Sequence, residues 1–200
     1  PILNETILSS KFNLQVASMI MYDGAHIYVH DGLLDNEIGA FMKVFHSNKT
    51  KTTYEELGAY VNLFTLPKSA PELKHLFTKS ANKNNAKKAS FSCTGSECLT
   101  LAPILARYIR EVVMPRNEFL DHCRSMLAVL RVLELLQAGK TGTVKHTELR
   151  AAIVDHLMLF KACYGEDAFK PKHHYSLHLP RMLKHFGFLL MTFTHERKHR

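Results

Sequence analysis

The stretch that decides the fold is Phe12 to Gly24, FNLQVASMIMYDG. Its first half alternates between apolar and polar residues, and Ala17 to Tyr22 is almost continuously apolar. A run of this length that stops at Asp-Gly, a pair typical of turns, predicts a buried β-strand. Asp23 would then stand at the carboxyl end of this strand, where catalytic acids are common, although a plain turn aspartate fits the same pattern.

The rest of the chain has helical patterns. Apolar residues recur at helical spacing from His26 to His46, with a break near Gly32. Thr53 and Thr94 each precede a glutamate by three positions, a capping-box pattern that starts a helix. Helices are predicted over 26–46, 53–64, 72–78, 97–114, 117–138, 143–164 and 188–200. Residues 79–89 are polar and basic, which predicts a mobile loop.

Composition places the chain among globular proteins. It has 200 residues, 46% of them hydrophobic, with only 9 Gly and 7 Pro, which fits one domain with a sizeable core. The formal net charge of +8 favours polyanionic partners, meaning nucleic acid or an anionic membrane face. No apolar run approaches the roughly 18–20 residues of a membrane span and no signal peptide is visible, so we expect no membrane partner.

The cysteines follow no common metal or redox motif. Cys93 and Cys98 are five positions apart, which suits neither a zinc knuckle nor a thioredoxin motif. Cys123 and Cys163 lie in apolar helical patterns, where buried free thiols are usual. We therefore expect a reducing compartment and no disulfide framework.

The end of the chain, His195–Arg200 (HERKHR), matches the zinc-protease pattern H-E-x-x-H. On a helix, His195 and His199 lie one turn apart and can share a zinc ion, and Glu196 can activate its bound water. Against a protease, no third ligand follows and two cations occupy the x positions. The same residues fit a solvated helix end, or a carboxylate site in which Glu196 pairs with Asp23.

Two blocks of sequence, one near each end of the chain, carry a family resemblance. Tyr22–Tyr28 (YDGAHIY) and Gly32–Gly39 (GLLDNEIG) form the first. Lys170–Pro180 (KPKHHYSLHLP), followed by Phe186-Gly187 and Phe193–His199, forms the second. The first is similar to the D-x-x-H … E-x-G block of cut-and-paste DNA transposases of the CACTA/Mirage/Chapaev type. The second resembles their K-P-K-x-H-x-L-x-H-x-P block and the F-G … F-E-x-K-H that follows it.

The resemblance implies a ribonuclease-H-like (DDE) catalytic region that uses paired Mg²⁺ or Mn²⁺. Asp23 would be the second metal-binding acid and Glu196 the third, separated by a helical insertion. Hard carboxylate oxygens suit these ions, which activate the attacking oxygen and stabilise the leaving one. His195 and His199 would belong to a histidine pair near that glutamate, and His26 would lie near the site.

This assignment divides a single, mainly α domain into three parts. Residues 1–29 would supply a short buried strand of a partial ribonuclease-H-like core. Residues 30–187 would form a multi-helix insertion, and residues 188–200 a terminal helix that carries the third acid. The first acid of the family has no counterpart here, so we expect a fragment of a longer protein that does not cut DNA by itself. Mg²⁺-dependent cleavage that is lost on Glu196→Ala would overturn this expectation.

The expected function is that of a transposase-like enzyme that cleaves and transfers DNA strands. DNA is the expected partner, in the nucleus, with Lys83, Lys87, Lys88, Arg197 and Lys198 as candidate backbone contacts, and the sequence allows a homo-oligomer. A second hypothesis is a non-catalytic helical module that binds DNA or protein, left by a decayed or domesticated transposon. The zinc protease ranks third.

Overall fold

The computed structural model describes residues 21–29, 31–47, 52–88 and 90–192, apart from the side chains of residues 45–47 and 86–88. Over these ranges the chain is mainly helical, as predicted, and contains no β-strand. The predicted strand lies almost wholly outside them, so the strand and the ribonuclease-H-like core stay predictions. The helices are α1 (Gly24–Tyr28), α2 (Leu33–Ser47), α3 (Tyr54–Val61), α4 (Lys79–Lys88), α5 (Gly95–Tyr108), α6 (Leu120–Gly139), α7 (His146–Tyr164), α8 (Pro171–Ser176) and α9 (Leu179–Phe186).

Shorter helical turns connect or extend these helices. They have 3₁₀ geometry at Lys74–Phe77, Met114–Arg116 and Glu166–Ala168, and π-helical geometry at Ile109–Val113. The predicted helix starts are confirmed at Thr53 and Thr94, whose side chains accept hydrogen bonds from the backbone N–H three residues later. The predicted break near Gly32 separates α1 from α2, where Asp31 has a left-handed φ of 44°.

The core is built around the long helices α6 and α7, which pack against each other along their length. The short connection between them makes the pair antiparallel. Helix α2 packs on α6, α9 packs on α7, and α5 lies against both α3 and α6. Helix α1 touches α2 and α8, so the beginning and the end of the described chain meet on one side of the bundle.

Two predictions about the elements are wrong. Lys79–Lys88 was expected to be a loop but forms α4, whose Asn85 is buried and bonds the Ser92 N–H. The last helix was expected to start at Phe188, but Phe188–Thr192 is not helical. Across the described part of the chain, no helix combines the length and hydrophobicity that a membrane crossing requires.

Contacts with two other parts of the chain explain the path of 188–192. Gly187 ends α9 with a left-handed φ of 78°. The Leu189 N–H then donates to the Gly139 carbonyl at 3.1 Å, and the Gly24 N–H donates to the Leu190 carbonyl at 2.9 Å. These bonds hold the segment against the end of α6 and the start of α1, and they bring Thr192 next to Asp23.

Candidate metal centre around Asp23

Asp23 is the N-cap of α1 and the point where the two ends of the described chain are joined. One carboxylate oxygen, Oδ1, accepts hydrogen bonds from the Ala25 N–H at 2.9 Å and the Thr192 N–H at 3.2 Å. The other, Oδ2, lies 2.8 Å from His26 Nδ1 and accepts a bond from the Thr192 hydroxyl. The side chain of Asp23 is 14% exposed, whereas that of His26 is 52% exposed.

These bonds keep Asp23 ionised. Partial burial raises its pKa, but the hydrogen bonds from Thr192, His26 and the Ala25 backbone outweigh this effect and hold the pKa below its usual value. A carboxylate in this state is a hard oxygen ligand of the kind that Mg²⁺ and Mn²⁺ prefer. Its two oxygens offer about four acceptor positions, all of which have donors here. A cation that binds Asp23 would have to replace one of these hydrogen-bond donors. We expect it to replace His26, whose side chain is the most exposed of them.

The two sequence blocks at 22–39 and 170–180 lie against each other. Tyr22 stacks on Tyr175 and His178, with ring centroids 5.5 and 5.4 Å apart. Lys172 Nζ donates to the Asp31 carbonyl at 3.0 Å, and Lys170 Nζ donates to the Asn36 side chain. Residues 134 and 141 positions apart in the chain are therefore in direct contact.

The remaining predicted site residues are only partly described. Glu196, His195, His199, Arg197 and Lys198 lie outside the described residues. Their pairing with Asp23 therefore stays a prediction.

Of the three lysines predicted to contact DNA, Lys83 is exposed on α4. The side chains of Lys87 and Lys88 lie outside the described part.

A second cluster of candidate ligands went unrecognised in the sequence. Cys98 Sγ lies 2.8 Å and Cys93 Sγ 3.3 Å from Asp35 Oδ1, and the two sulfurs are 2.7 Å apart. Burial raises the pKa of Asp35 to about 6, although the hydrogen bonds from the two thiols lower it. Cys93 and Cys98 are five positions apart, wider than the C-x-x-C spacing of the motifs considered, and the third member is 58 positions upstream of Cys93, so no local pattern marks the cluster.

A buried polar triad also joins three helices. Glu37 Oε2 lies 2.6 Å from His156 Nε2, and Glu37 Oε1 accepts a 2.5 Å hydrogen bond from the Ser125 hydroxyl. All three residues are fully buried. With no access to solvent and with serine bonded to the glutamate rather than to the histidine, the triad ties α2, α6 and α7 together instead of acting as a nucleophilic site.

A basic groove of about 470 Å³ lies between α7 and α9. Its walls carry the cationic side chains of Arg150, Arg181 and Lys184, together with His146. Its lining also includes the apolar residues Ile153, Val154, Leu177 and Pro180. A groove with this lining can take the phosphates of a nucleic acid on its rim.

Comparisons with known proteins found no relative of this chain. No family model matches the chain, and neither does any curated protein or solved structure.

Proposed function

We propose that the chain is the metal-binding and DNA-binding portion of a transposase-like, DNA strand-cleaving enzyme, in which Asp23 and Glu196 hold a divalent cation. The observation that carries this proposal is the contact between Asp23 and Thr192. Glu196 follows Thr192 by four positions, and four residues span at most about 14 Å. The chain connection therefore allows Glu196 to approach Asp23, although the two are 173 positions apart in the sequence.

The environment of Asp23 supports the same role. Carboxylates that bind metals are themselves commonly oriented by hydrogen bonds, as Asp23 is by Thr192 and the Ala25 N–H. In such a site the bound cations would activate the attacking water or 3′-hydroxyl and stabilise the leaving oxygen. The residues of this chain would orient the two carboxylates, and His26 would shield Asp23 until a cation displaces it.

The basic groove supports DNA as the partner. Arg150, Arg181 and Lys184 place three positive charges around one concave surface, and the formal net charge of the chain is +8. Phosphate contacts release counterions, so DNA affinity would fall steeply with salt. The same groove also favours the second candidate, a non-catalytic DNA-binding module, which needs the groove but not Asp23.

DNA binding with and without metal tests the proposal. We expect the chain to bind a DNA duplex, measured by fluorescence anisotropy, with an affinity that falls at least about tenfold between roughly 50 and 200 mM salt. Replacing Arg150 and Arg181 by alanine should weaken binding and flatten this salt dependence by about two phosphate contacts. The control is Arg124→Ala, which removes an exposed arginine paired with Asp121 on α6.

The effect of metal separates the two candidates. If Asp23 and Glu196 hold a cation near bound DNA, Mg²⁺ should strengthen DNA binding by the wild type but not by Asp23→Asn. Equal affinities with and without Mg²⁺ in both proteins would leave the non-catalytic module as the function. Absence of DNA binding at low salt would contradict both.

A further inference from the structure

Asp35, Cys93 and Cys98 come together from two separate parts of the fold. Asp35 lies in the first turn of α2, and Cys98 lies in the first turns of α5. Cys93 lies just before Thr94, the N-cap of α5. One ligand atom from each of the three residues lies within 4.8 Å of the other two. Two sulfurs and one oxygen are therefore close enough together for one metal ion to contact all three.

The positions of the three side chains are fixed by the backbone around them. The Phe91 N–H donates to the Asp35 carbonyl at 3.0 Å, which attaches the segment before Cys93 to α2. The Thr94 N–H donates to Glu97 Oε2 at 2.7 Å, and this capping box sets where α5 begins. The site is therefore built on the ends of two helices, which favours a defined geometry.

The hydrogen-bond donors to Asp35 are neutral groups, although the positive charge of Lys172 also acts on this carboxylate electrostatically. Its carboxylate accepts bonds from the two thiols and a 3.4 Å bond from the Gly32 N–H. Within the described ranges, none of the bonds to Asp35 comes from a cationic side chain. Aspartate is rarely this buried, at 3% exposure, unless it is paired or coordinates a metal.

We infer that Asp35, Cys93 and Cys98 form a zinc-binding site that fastens the N-terminus of α5 to α2. Two thiolates and one carboxylate suit Zn²⁺, whereas Mg²⁺ and Mn²⁺ prefer sites made of oxygen alone. Sulfurs bound to a tetrahedral zinc lie about 3.8 Å apart, so the two thiols would separate by about 1 Å on binding. Cys93 is partly exposed, which gives the ion a path to solvent and a water a place as the fourth ligand.

This site differs from the other metal sites considered above. It shares no residue with the proposed Asp23–Glu196 site or with the zinc-protease pattern at 195–199. Its ligands would position α5 against α2 and would not depend on the proposed function. Failure of either proposal therefore leaves the other intact.

Cobalt substitution tests the inference directly. The reduced, chelator-treated protein is titrated with Co²⁺, which gives intense near-ultraviolet absorption when thiolates coordinate it, and is then titrated with Zn²⁺ to displace the cobalt. We expect one cobalt ion per chain with this thiolate absorption, and its loss on addition of zinc. Cys93→Ser should remove the absorption and weaken zinc binding by at least about 100-fold, more than the usual loss of an outer-sphere contact.

Matched variants keep the test decisive. Cys163→Ser, which replaces a partly exposed thiol on α7, should leave the cobalt spectrum unchanged. Asp35→Asn should weaken cobalt binding and Asp155→Asn, at an exposed position on α7, should not. Because Cys98 is fully buried and its replacement can unfold the protein, the partly exposed Cys93 carries the test, with circular dichroism confirming that the variant is folded.

Three results would overturn the inference. The first is no cobalt or zinc binding by the fully reduced wild type. The second is binding that Cys93→Ser and Asp35→Asn leave unchanged. The third is zinc that is retained in Cys93→Ser but lost in the His195→Ala/His199→Ala double variant, which would place the metal at the H-E-x-x-H pattern instead.

Discussion

Asp23 connects residues that are 169 positions apart, because its carboxylate receives both the N–H and the hydroxyl of Thr192. The same carboxylate caps α1 through the Ala25 N–H. At the scale of the single residue, the structural role and the proposed metal-binding role therefore use the same oxygens. Different substitutions can separate them, since asparagine keeps an acceptor for the backbone donors but loses the charge.

We expect Asp23→Ala to destabilise the protein by about 2 kcal/mol, because it removes the N-cap of α1 and the bonds to Thr192. Asp23→Asn should cost about half as much. Urea unfolding followed by circular dichroism measures both. Asp155→Ala, at an exposed position of α7, is the control and should change stability by no more than about 0.5 kcal/mol. Equal stability of Asp23→Ala and the wild type would show that the contact with Thr192 contributes nothing.

His173 gives a pH dependence that can be measured separately. Burial lowers its pKa from 6.5 to about 4, and a backbone bond to Lys170 only partly offsets this. The unfolded chain therefore binds a proton between these two pH values that the folded chain does not bind. Stability is at its full value above pH 6.5 and is lost as the pH falls toward about 4, by up to about 3 kcal/mol.

Replacing His173 by glutamine should flatten the acid side of the stability profile between pH 6.5 and 4. His185→Gln, at an exposed position on α9, is the control and should keep the slope of the wild type. Urea unfolding at a series of pH values gives the slope directly. An unchanged slope in His173→Gln would mean that other groups cause the acid sensitivity.

At the scale of the elements, the buried triad of Glu37, Ser125 and His156 joins α2, α6 and α7 through hydrogen bonds. Glu37 lies in the same stripe of α2 as Leu34, Ile38 and Phe41, all of which are fully buried. Its carboxylate then bonds His156 on α7 and Ser125 on α6. We expect this buried polar pair to help fix which helices meet and in what register.

Replacing Glu37 and His156 together should cost less stability than the two single replacements added together. We expect Glu37→Leu or His156→Leu to destabilise the protein by about 3–5 kcal/mol, because each leaves a buried polar group without its partner. The double variant should cost much less than the sum, and a double-mutant cycle from urea unfolding measures the difference. Glu134→Leu on the exposed side of α6 is the control. Strict additivity would mean that Glu37 and His156 do not stabilise each other.

At this scale, elements set by interactions between residues close in sequence could be predicted, and elements set by distant contacts could not. Thr53 and Thr94 were recognised as helix starts because a capping bond spans only three residues. Helix α4 was missed because its ten residues lack an apolar stripe. Phe188–Thr192 was assigned to a helix because its residues are apolar, but bonds to Gly139 and Gly24, both distant in sequence, hold it in a non-helical path.

Candidate sites, too, could be predicted only where their residues lie close together in the sequence. Asp23 could be named as a candidate because an acid after an apolar run is visible locally, and its metal-binding role stays a prediction. The Asp35–Cys93–Cys98 cluster and the Glu37–His156 pair were not, because their members lie 58 and 119 positions apart and no periodic pattern connects them. Such pairs become visible only when the packing of α2 against its neighbours is known.

At the scale of the whole molecule, two distant blocks of sequence form one surface. Tyr22 and Asp23 from the first block meet Tyr175, His178 and Thr192 near the other end of the described chain. The long helices α6 and α7 lie between them in the sequence and provide the core on which both blocks rest. This arrangement is what a helical insertion between two acids of one site would require, and the proposed pairing of Asp23 with Glu196 depends on it.

The most direct measurement is the Mn²⁺ affinity of the wild type, Asp23→Asn, Glu196→Gln and the double variant, read from the electron paramagnetic resonance signal of free Mn²⁺. If the two carboxylates share one cation, each single variant should lower the Mn²⁺ affinity at least about tenfold. The double variant should then bind little worse than either single variant, and Cys93→Ser should bind like the wild type. Mn²⁺ affinity that neither Asp23→Asn nor Glu196→Gln changes would contradict the account.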